Sequence, residues 1–128
     1  YEITCRDWSS DVCCSDLRAV RFEKAAAAYA VAIIRASRPA DGAAAPQSLR
    51  ELRRFIEFGA SPRASLALYR AARAGALLDG RDFVLPDDIK KAAPALLRHR
   101  IVPSYEAEAE RVGSEAIVRG ILQAVAVP

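Results

Sequence analysis

Apolar residues in this chain recur at steps of three and four, which is the period of one helix face and not of a strand. The clearest run is Phe22, Ala26, Tyr29, Ile33 and Ala36. Alanine is frequent and aromatic residues make up only 7% of the chain, which also favours helices over sheets. A helix with one apolar face cannot bury it alone, so we predict an all-α fold, a small bundle of four to five helices.

Proline, glycine and capping residues divide the chain into helical segments. The predicted helices cover residues 18–37, 48–58, 62–79, 86–100 and 115–125. Ser48 and Ser114 are predicted N-caps, Gly80 a C-terminal stop, and Pro94 a kink or break. In the third helix we expect Leu66, together with Tyr69, Ala72 and Ala76, to face the core.

The connections between these helices carry weaker signals. Residues 38–46 read as a loop and residues 101–103 as extended chain. Residues 83–85 are a short apolar stretch that suggests a single β-bridge. Residues 105–112 are predicted to be a polar connector, in which Glu106, Glu108 and Glu110 serve solubility.

A candidate phosphate site lies in residues 59–65, where a helix is predicted to begin. Ser61 is a favourable N-cap, whose hydroxyl can accept a bond from a first-turn amide, and Pro62 suits the first helical position. Arg63 then follows at the positive end of the helix dipole, where a cation is mildly unfavourable. The same place favours a phosphate, so Ser61 and Arg63 are candidate ligands. The alternative is that Arg63 is a solvated surface arginine.

The usual signatures of an enzyme site are missing from the sequence. There is neither a G-x-x-x-x-G-K-[ST] loop nor a G-x-G-x-x-G motif. His99 is the only histidine, and a lone histidine among arginines at a helix end more often packs or caps than catalyses. Asp87 and Asp88 fall in a predicted first turn, where helix-dipole chemistry alone explains them. We therefore predict no metal site and no catalysis by this chain alone.

Residues 1–17 differ from the rest of the chain and resemble a translated sequencing adapter. They contain Cys5, Cys13, Cys14 and Trp8, and show no helical period. We expect this segment to be non-native and irregular or disordered. Without its one basic and four acidic residues, residues 18–128 carry 19 − 1 = 18 basic and 16 − 4 = 12 acidic side chains, about +6. That charge favours an anionic partner, and the lack of cysteine in residues 18–128 suits a reducing cytoplasm.

Four blocks, in order and spacing, resemble the MoxR family of AAA+ ATPases. They are residues 59–68, 80–90, 96–107 and 121–128. The resemblance covers about residues 20–128 and implies the family's C-terminal helical lid. It also implies that Arg63 is the sensor 2 arginine, which reaches the γ-phosphate of ATP. One departure is Leu85, where family members often carry a capping threonine.

The resemblance further implies what a parent protein would do. That parent would be a cytoplasmic, chaperone-like ATPase acting in remodelling or metal insertion, with ATP and Mg²⁺ held by an α/β core that this chain lacks. Its expected partners are that core, neighbouring subunits of a homo-oligomer (a hexamer), and von Willebrand factor A-type proteins. We expect no membrane partner. The alternative is a free-standing basic helical module that binds nucleic acid or protein. One observation speaks against nucleic-acid binding: the basic residues are spread over all the predicted helices instead of forming one patch.

Overall fold

The computed structural model describes residues 16–39 and 47–127 of the chain. The predicted N-terminal segment, except for residues 16 and 17, lies outside the described residues, as does most of the loop at 38–46. In chain order the elements are α1 (residues 16–19), α2 (Lys24–Ala36), α3 (Gln47–Arg53), β1 (Ile56–Phe58), α4 (Pro62–Leu78), α5 (Pro86–Leu97), β2 (Val102–Pro103), α6 (Tyr105–Ala109) and α7 (Ser114–Ala124).

The predicted all-α bundle is confirmed, with a small two-stranded sheet added to it. Strands β1 and β2 pair antiparallel, with Ile56 opposite Pro103 and Phe58 opposite Val102. The extended stretch at residues 101–103 is as expected, but the predicted helix through Phe58 is wrong. Helix α3 ends at Arg53, and the apolar residues after it pair with β2 instead.

The first predicted helix is interrupted between residues 20 and 23. There the chain pairs with the segment between α4 and α5: the Arg21 N–H donates to the Asp82 carbonyl at 2.7 Å, and the Val84 N–H donates to the Arg21 carbonyl at 3.0 Å. The predicted β-bridge is therefore present at Phe83, parallel to Arg21. Val20, only 2% exposed, fills the core beside this bridge.

Helices α4 and α5 form the centre of the bundle. On α4 the fully buried residues are Ala64, Leu68, Ala72 and Ala76, one turn apart. The expected inward position of Leu66 is wrong, since it is 61% exposed. Small alanine side chains let a neighbouring helix approach closely, so α4 turns its alanine stripe inward. The remaining core comes mainly from these buried residues of α2, α5 and α7: Tyr29, Ile33, Ile89, Ala93, Leu97, Ile117, Val118 and Ile121.

Several helix ends differ from the sequence prediction by one position or more. Helix α3 begins at Gln47, so Ser48 is not its N-cap, and Gly113 rather than Ser114 precedes α7. The polar connector at 105–112 is partly helix α6, whose N-cap Ser104 accepts a hydrogen bond from the Ala107 N–H. Helix α5 continues through Pro94 without splitting.

The predicted stop at Gly80 is confirmed. Gly80 has φ +73°, its N–H donates to the Leu77 carbonyl, and the Arg81 N–H donates to the Ala76 carbonyl. These two bonds form a Schellman motif, which satisfies the last carbonyls of α4.

Candidate functional site

The candidate phosphate site is the N-terminal end of α4. Ser61 is the N-cap, with an extended backbone, and Pro62 is the first helical residue, both as predicted. The Ser61 hydroxyl, however, accepts no hydrogen bond from the first turn, so that part of the prediction is wrong. A neighbouring serine acts locally instead: the Ser65 hydroxyl donates to the Pro62 carbonyl at 2.6 Å.

Arg63 lies on the exposed surface of the first turn of α4. No hydrogen bond or ion pair joins its guanidinium to any other described residue, and the first turn holds no acidic side chain. Its charge therefore adds to the positive end of the helix dipole, and none of the described residues neutralises it by an ion pair. Such an end, with an exposed cation beside the helix N-terminus, has the chemistry to bind a phosphate.

The chain just before this helix is anchored to the C-terminal end of α2. The Ala60 N–H donates to Ser37 Oγ at 3.1 Å, and Arg38 Nε donates to the Ala60 carbonyl at 3.1 Å. The Ser37 hydroxyl, fully buried, in turn donates to the Ile34 carbonyl at 2.6 Å. Sequence reasoning missed Ser37 and Arg38, because no local pattern indicates a contact across 22 or 23 residues.

Gly59 allows this close approach. A Cβ atom at Gly59 would lie 2.2 Å from the Ser37 backbone oxygen and 2.9 Å from the Arg38 Cα. Both are backbone atoms, so no side-chain rotation could relieve the overlap. The residue that precedes the anchored peptide must therefore have no side chain at all.

A basic and apolar surface continues from Arg63 along the outer face of α4. Leu66 and Arg70 are exposed there, and the Arg73 guanidinium lies 4.4 Å from the ring centroid of Tyr69. Tyr69 also stacks on Phe22, with ring centroids 4.2 Å apart. A pocket of about 530 Å³ opens beside them, lined by Leu17, Arg18, Leu66, Tyr69, Arg70 and Arg73. No local sequence pattern indicates this aromatic stack, because Phe22 and Tyr69 lie far apart in the chain.

Asp88 proves to be a structural carboxylate. It is 4% exposed and accepts bidentate hydrogen bonds from Arg81, at 2.7 and 2.8 Å. It also accepts from the Leu85 N–H at 2.9 Å, which stabilises the start of α5 although Leu85 offers no side-chain cap. The hydrogen bonds from Arg81, helped by that from Leu85, hold the pKa of Asp88 below its ordinary value, although burial opposes them. Arg81 additionally donates to Asp79 at 2.9 Å.

The other singled-out residues do not assemble into a site. His99 is exposed in the turn after α5, and the Asp87 side chain is 77% exposed. Glu106 and Glu110 form ion pairs with Arg54, at 3.4 and 3.2 Å, so Arg54 ties β1's entry to α6. Burial raises the pKa of the Tyr29 hydroxyl, which finds no hydrogen-bond partner among the described residues.

Neither a metal centre nor a membrane span is found in the part of the chain that the structure describes. The described residues contain no group of three or more His, Cys, Asp or Glu side chains that could hold a metal ion. None of the helices in this part of the chain is both long enough and apolar enough to cross a bilayer.

Comparison with known proteins gives a consistent result. Residues 51–121 match a family model described as an AAA lid domain. The chain is 44% identical over 80 residues to the chaperone MoxR1 of Mycobacterium tuberculosis, which covers 62% of this chain and 21% of that protein. It is 36% identical over 77 residues to the protein MoxR of Methylorubrum extorquens, covering 59% of this chain and 22% of that protein.

A solved structure supports the same fold. A provisionally named ATPase from Cytophaga hutchinsonii superposes with a TM-score of 0.78 at 35% identity. The match covers 89% of this chain and 33% of that one. The chain thus spans about a fifth of the curated relatives and a third of the solved neighbour.

Proposed function

The chain belongs to the AAA lid domain family, and from that premise we propose that residues 18–128 are the lid of a MoxR-type AAA+ ATPase that supplies its sensor 2 arginine, Arg63. The observation that carries the proposal is the exposed arginine at the N-terminal end of α4, which has no partner among the described residues. The names of the relatives agree with it, since two are MoxR proteins and the solved neighbour is named as an ATPase.

The chemistry proposed for Arg63 is electrostatic. ATP, when bound by the rest of the parent protein, supplies the phosphoryl group that is transferred to water. The Arg63 guanidinium would donate to oxygens of the γ-phosphate and stabilise the charge that spreads over them in the transition state. The positive end of α4 strengthens that attraction. We propose that the Mg²⁺ ion that accompanies ATP is held by the parent's other domain.

The outer face of α4 is the proposed docking surface for that domain. Arg63, Leu66 and Arg70 lie along it at helical spacing and are exposed. A partner with acidic groups around a small apolar patch would complement this face. Lid and ATP-holding domain would then close over the nucleotide with Arg63 between them.

The wider setting of the parent follows the family. We propose a cytoplasmic, chaperone-like homo-oligomer, expected as a hexamer, that uses ATP to remodel proteins or assist metal insertion. Its proposed partners are neighbouring subunits and von Willebrand factor A-type proteins. Residues 1–17 are proposed to be foreign to the domain.

Substitution of Arg63 in the longer protein tests this function. We expect Arg63→Ala to lower ATP turnover by about 100- to 1,000-fold, because one preorganised charge contact to the transition state is lost. Arg119→Ala is the matched control: Arg119 is an exposed arginine on α7, paired only loosely with Glu115 at 3.8 Å, and its loss should leave turnover unchanged. Normal turnover in Arg63→Ala would refute the sensor assignment.

Nucleic-acid binding is the competing function, and it has its own measurement. Fluorescence anisotropy of labelled duplex DNA with residues 18–128 should show no binding at low micromolar protein in about 150 mM salt. Tight binding that weakens steeply as salt rises would favour the basic helical module instead.

A further inference from the structure

We propose that Ser37 and Arg38 position the sensor arginine, by clamping the peptide at Ala60 to the C-terminal end of α2. The inference rests on the proposed function of Arg63 and concerns how that side chain is held in place. We call the arrangement of Ser37, Arg38, Gly59 and Ala60 the α2–α4 clamp.

The clamp fixes both polar groups of one residue. The Ala60 N–H is bound by Ser37 Oγ and the Ala60 carbonyl by Arg38 Nε, both at 3.1 Å. Two adjacent side chains from one helix end thus hold a single residue from both sides. Ala60 is 1% exposed and Ser37 0%, so water cannot replace the bond between them.

The clamp also leaves little freedom to slide or tilt. The Ser37 hydroxyl is itself directed by its bond to the Ile34 carbonyl, at 2.6 Å. Gly59 packs directly on the backbone of Ser37 and Arg38. Ala60 lies three residues before Arg63, and Ser61 and Pro62 between them have fixed N-cap and first-turn conformations. The position of Arg63 relative to α2 is therefore set mainly at Ala60.

The fold itself does not depend on this contact alone. Helices α2 and α4 belong to the same buried core, which includes Ile33 from α2 and Leu68 from α4. Loss of the clamp should thus leave the bundle folded but allow the first turn of α4 to shift. Small displacements of a group that contacts the transition state are costly, about 100-fold for 1 Å.

The first experiment measures the clamp in the 128-residue chain. In Ser37→Ala the amide hydrogen of Ala60 should exchange about tenfold faster or more, because its buried acceptor is gone. Ser65→Ala is the matched control, since it removes a serine hydroxyl that bonds only within the first turn of α4. Unchanged exchange at Ala60 in Ser37→Ala would overturn the clamp.

The second experiment measures its effect on turnover in the longer protein. We expect Ser37→Ala and Arg38→Gln each to lower kcat by about 10- to 100-fold while KM for ATP stays within about twofold. Ser37→Thr, which keeps the hydroxyl, should recover most of kcat. The double variant Ser37→Ala/Arg63→Ala should be no slower than Arg63→Ala, because the clamp acts only through Arg63.

The outcomes separate the two proposals. Impaired Arg63→Ala together with normal Ser37→Ala would overturn the positioning role and leave the sensor role intact. A double variant much slower than Arg63→Ala would also overturn it, because Ser37 would then act independently. Normal turnover in Arg63→Ala would refute the sensor role and the positioning role with it.

Discussion

Asp88 joins two parts of the chain through one buried carboxylate. It accepts from the Arg81 guanidinium, which follows α4, and from the Leu85 N–H at the start of α5. If a buried carboxylate loses such donors, its desolvation cost is no longer offset by hydrogen bonds, and the folded state is destabilised. The contact between α4 and α5 therefore depends on this side chain as well as on apolar packing.

The low pKa of Asp88 makes the stability of the domain depend on pH. Its carboxyl binds protons more weakly in the folded chain than in the unfolded chain, where the pKa is about 3.9. The resulting stability is fully present above that value and is lost as pH falls through the lower folded pKa. Urea unfolding between pH 7 and pH 2.5 should show this acid-side loss. Asp88→Asn should be less stable by about 2 kcal/mol at pH 7 and should lose less on acidification.

Asp87→Asn is the matched control for this prediction. Asp87 neighbours Asp88 in the same first turn, but its side chain is 77% exposed. Its ion pair with Lys90 is a long one, with Asp87 Oδ1 at 3.9 Å from Lys90 Nζ. It should retain almost the full stability at pH 7 and the acid-side loss of the unsubstituted chain. Equal stability of the two variants at pH 7 would contradict the structural role of Asp88.

Local chemistry makes some residues predictable and leaves others hidden. The position of Arg63 can be read from Ser61-Pro62-Arg63, because a helix start is written in consecutive residues. Ser37 and Arg38 cannot be found this way, since their partner Ala60 is far along the chain. Hydrophobicity alone wrongly places Leu66 in the core, because it favours leucine over alanine there, whereas close helix packing favours alanine.

At the scale of the element, two glycines of the α4 region should respond oppositely to alanine. Gly75 lies inside α4 with open space around its Cα, so Gly75→Ala should stabilise the domain by about 0.5–1 kcal/mol. Gly80 also has open space but a φ of +73°, so Gly80→Ala should destabilise by about 1 kcal/mol. Chemical unfolding of both variants measures the pair. A stabilising Gly80→Ala would contradict the Schellman end of α4.

Elements with a strong period are predictable and short ones are not. Helices α4 and α5 begin at the residues expected, because proline in the first turn marks them. Helix α6 looks like a connector in the sequence, because only five residues form it. Its N-cap Ser104 also donates to the Arg54 carbonyl, and no local pattern indicates a contact with a residue so far away in the chain. Strand β1 needs β2 as its partner, and propensity along a single segment does not indicate that pairing.

At the scale of the whole molecule, the proposed boundary at residue 17 can be tested by truncation. We expect a chain of residues 18–128 to melt within about 3 °C of the full 128 residues, because Leu17 is only partly buried. A chain that begins at Lys24 also loses Val20, which is 2% exposed, and the Arg21 bridge. It should melt about 10 °C lower. Calorimetry compares the three, and a large drop on removing residues 1–17 would contradict the boundary.

The general architecture is predictable from sequence because burial of several one-sided helices leaves few solutions. The pairings between segments that are distant in the sequence are not predictable in this way. The Arg21 bridge and the β1–β2 pair each depend on two distant segments with a few residues apiece. Patterns of burial do not select such pairings, since either strand alone is too short to show a period.

The Arg21 bridge and the β1–β2 pairing also affect the order in which the domain folds. The Arg21 bridge reaches Asp82, 61 residues along the chain, and β1 reaches β2 across more than forty. Forming each pairing costs the loop-closure entropy of a long segment, and only a few hydrogen bonds offset that cost. The contacts between α4 and α5, which are adjacent in sequence, close a short loop at small entropic cost. Folding should therefore nucleate on the α4–α5 pair, and the Arg21 bridge and the β1–β2 pairing should form after the folding transition state.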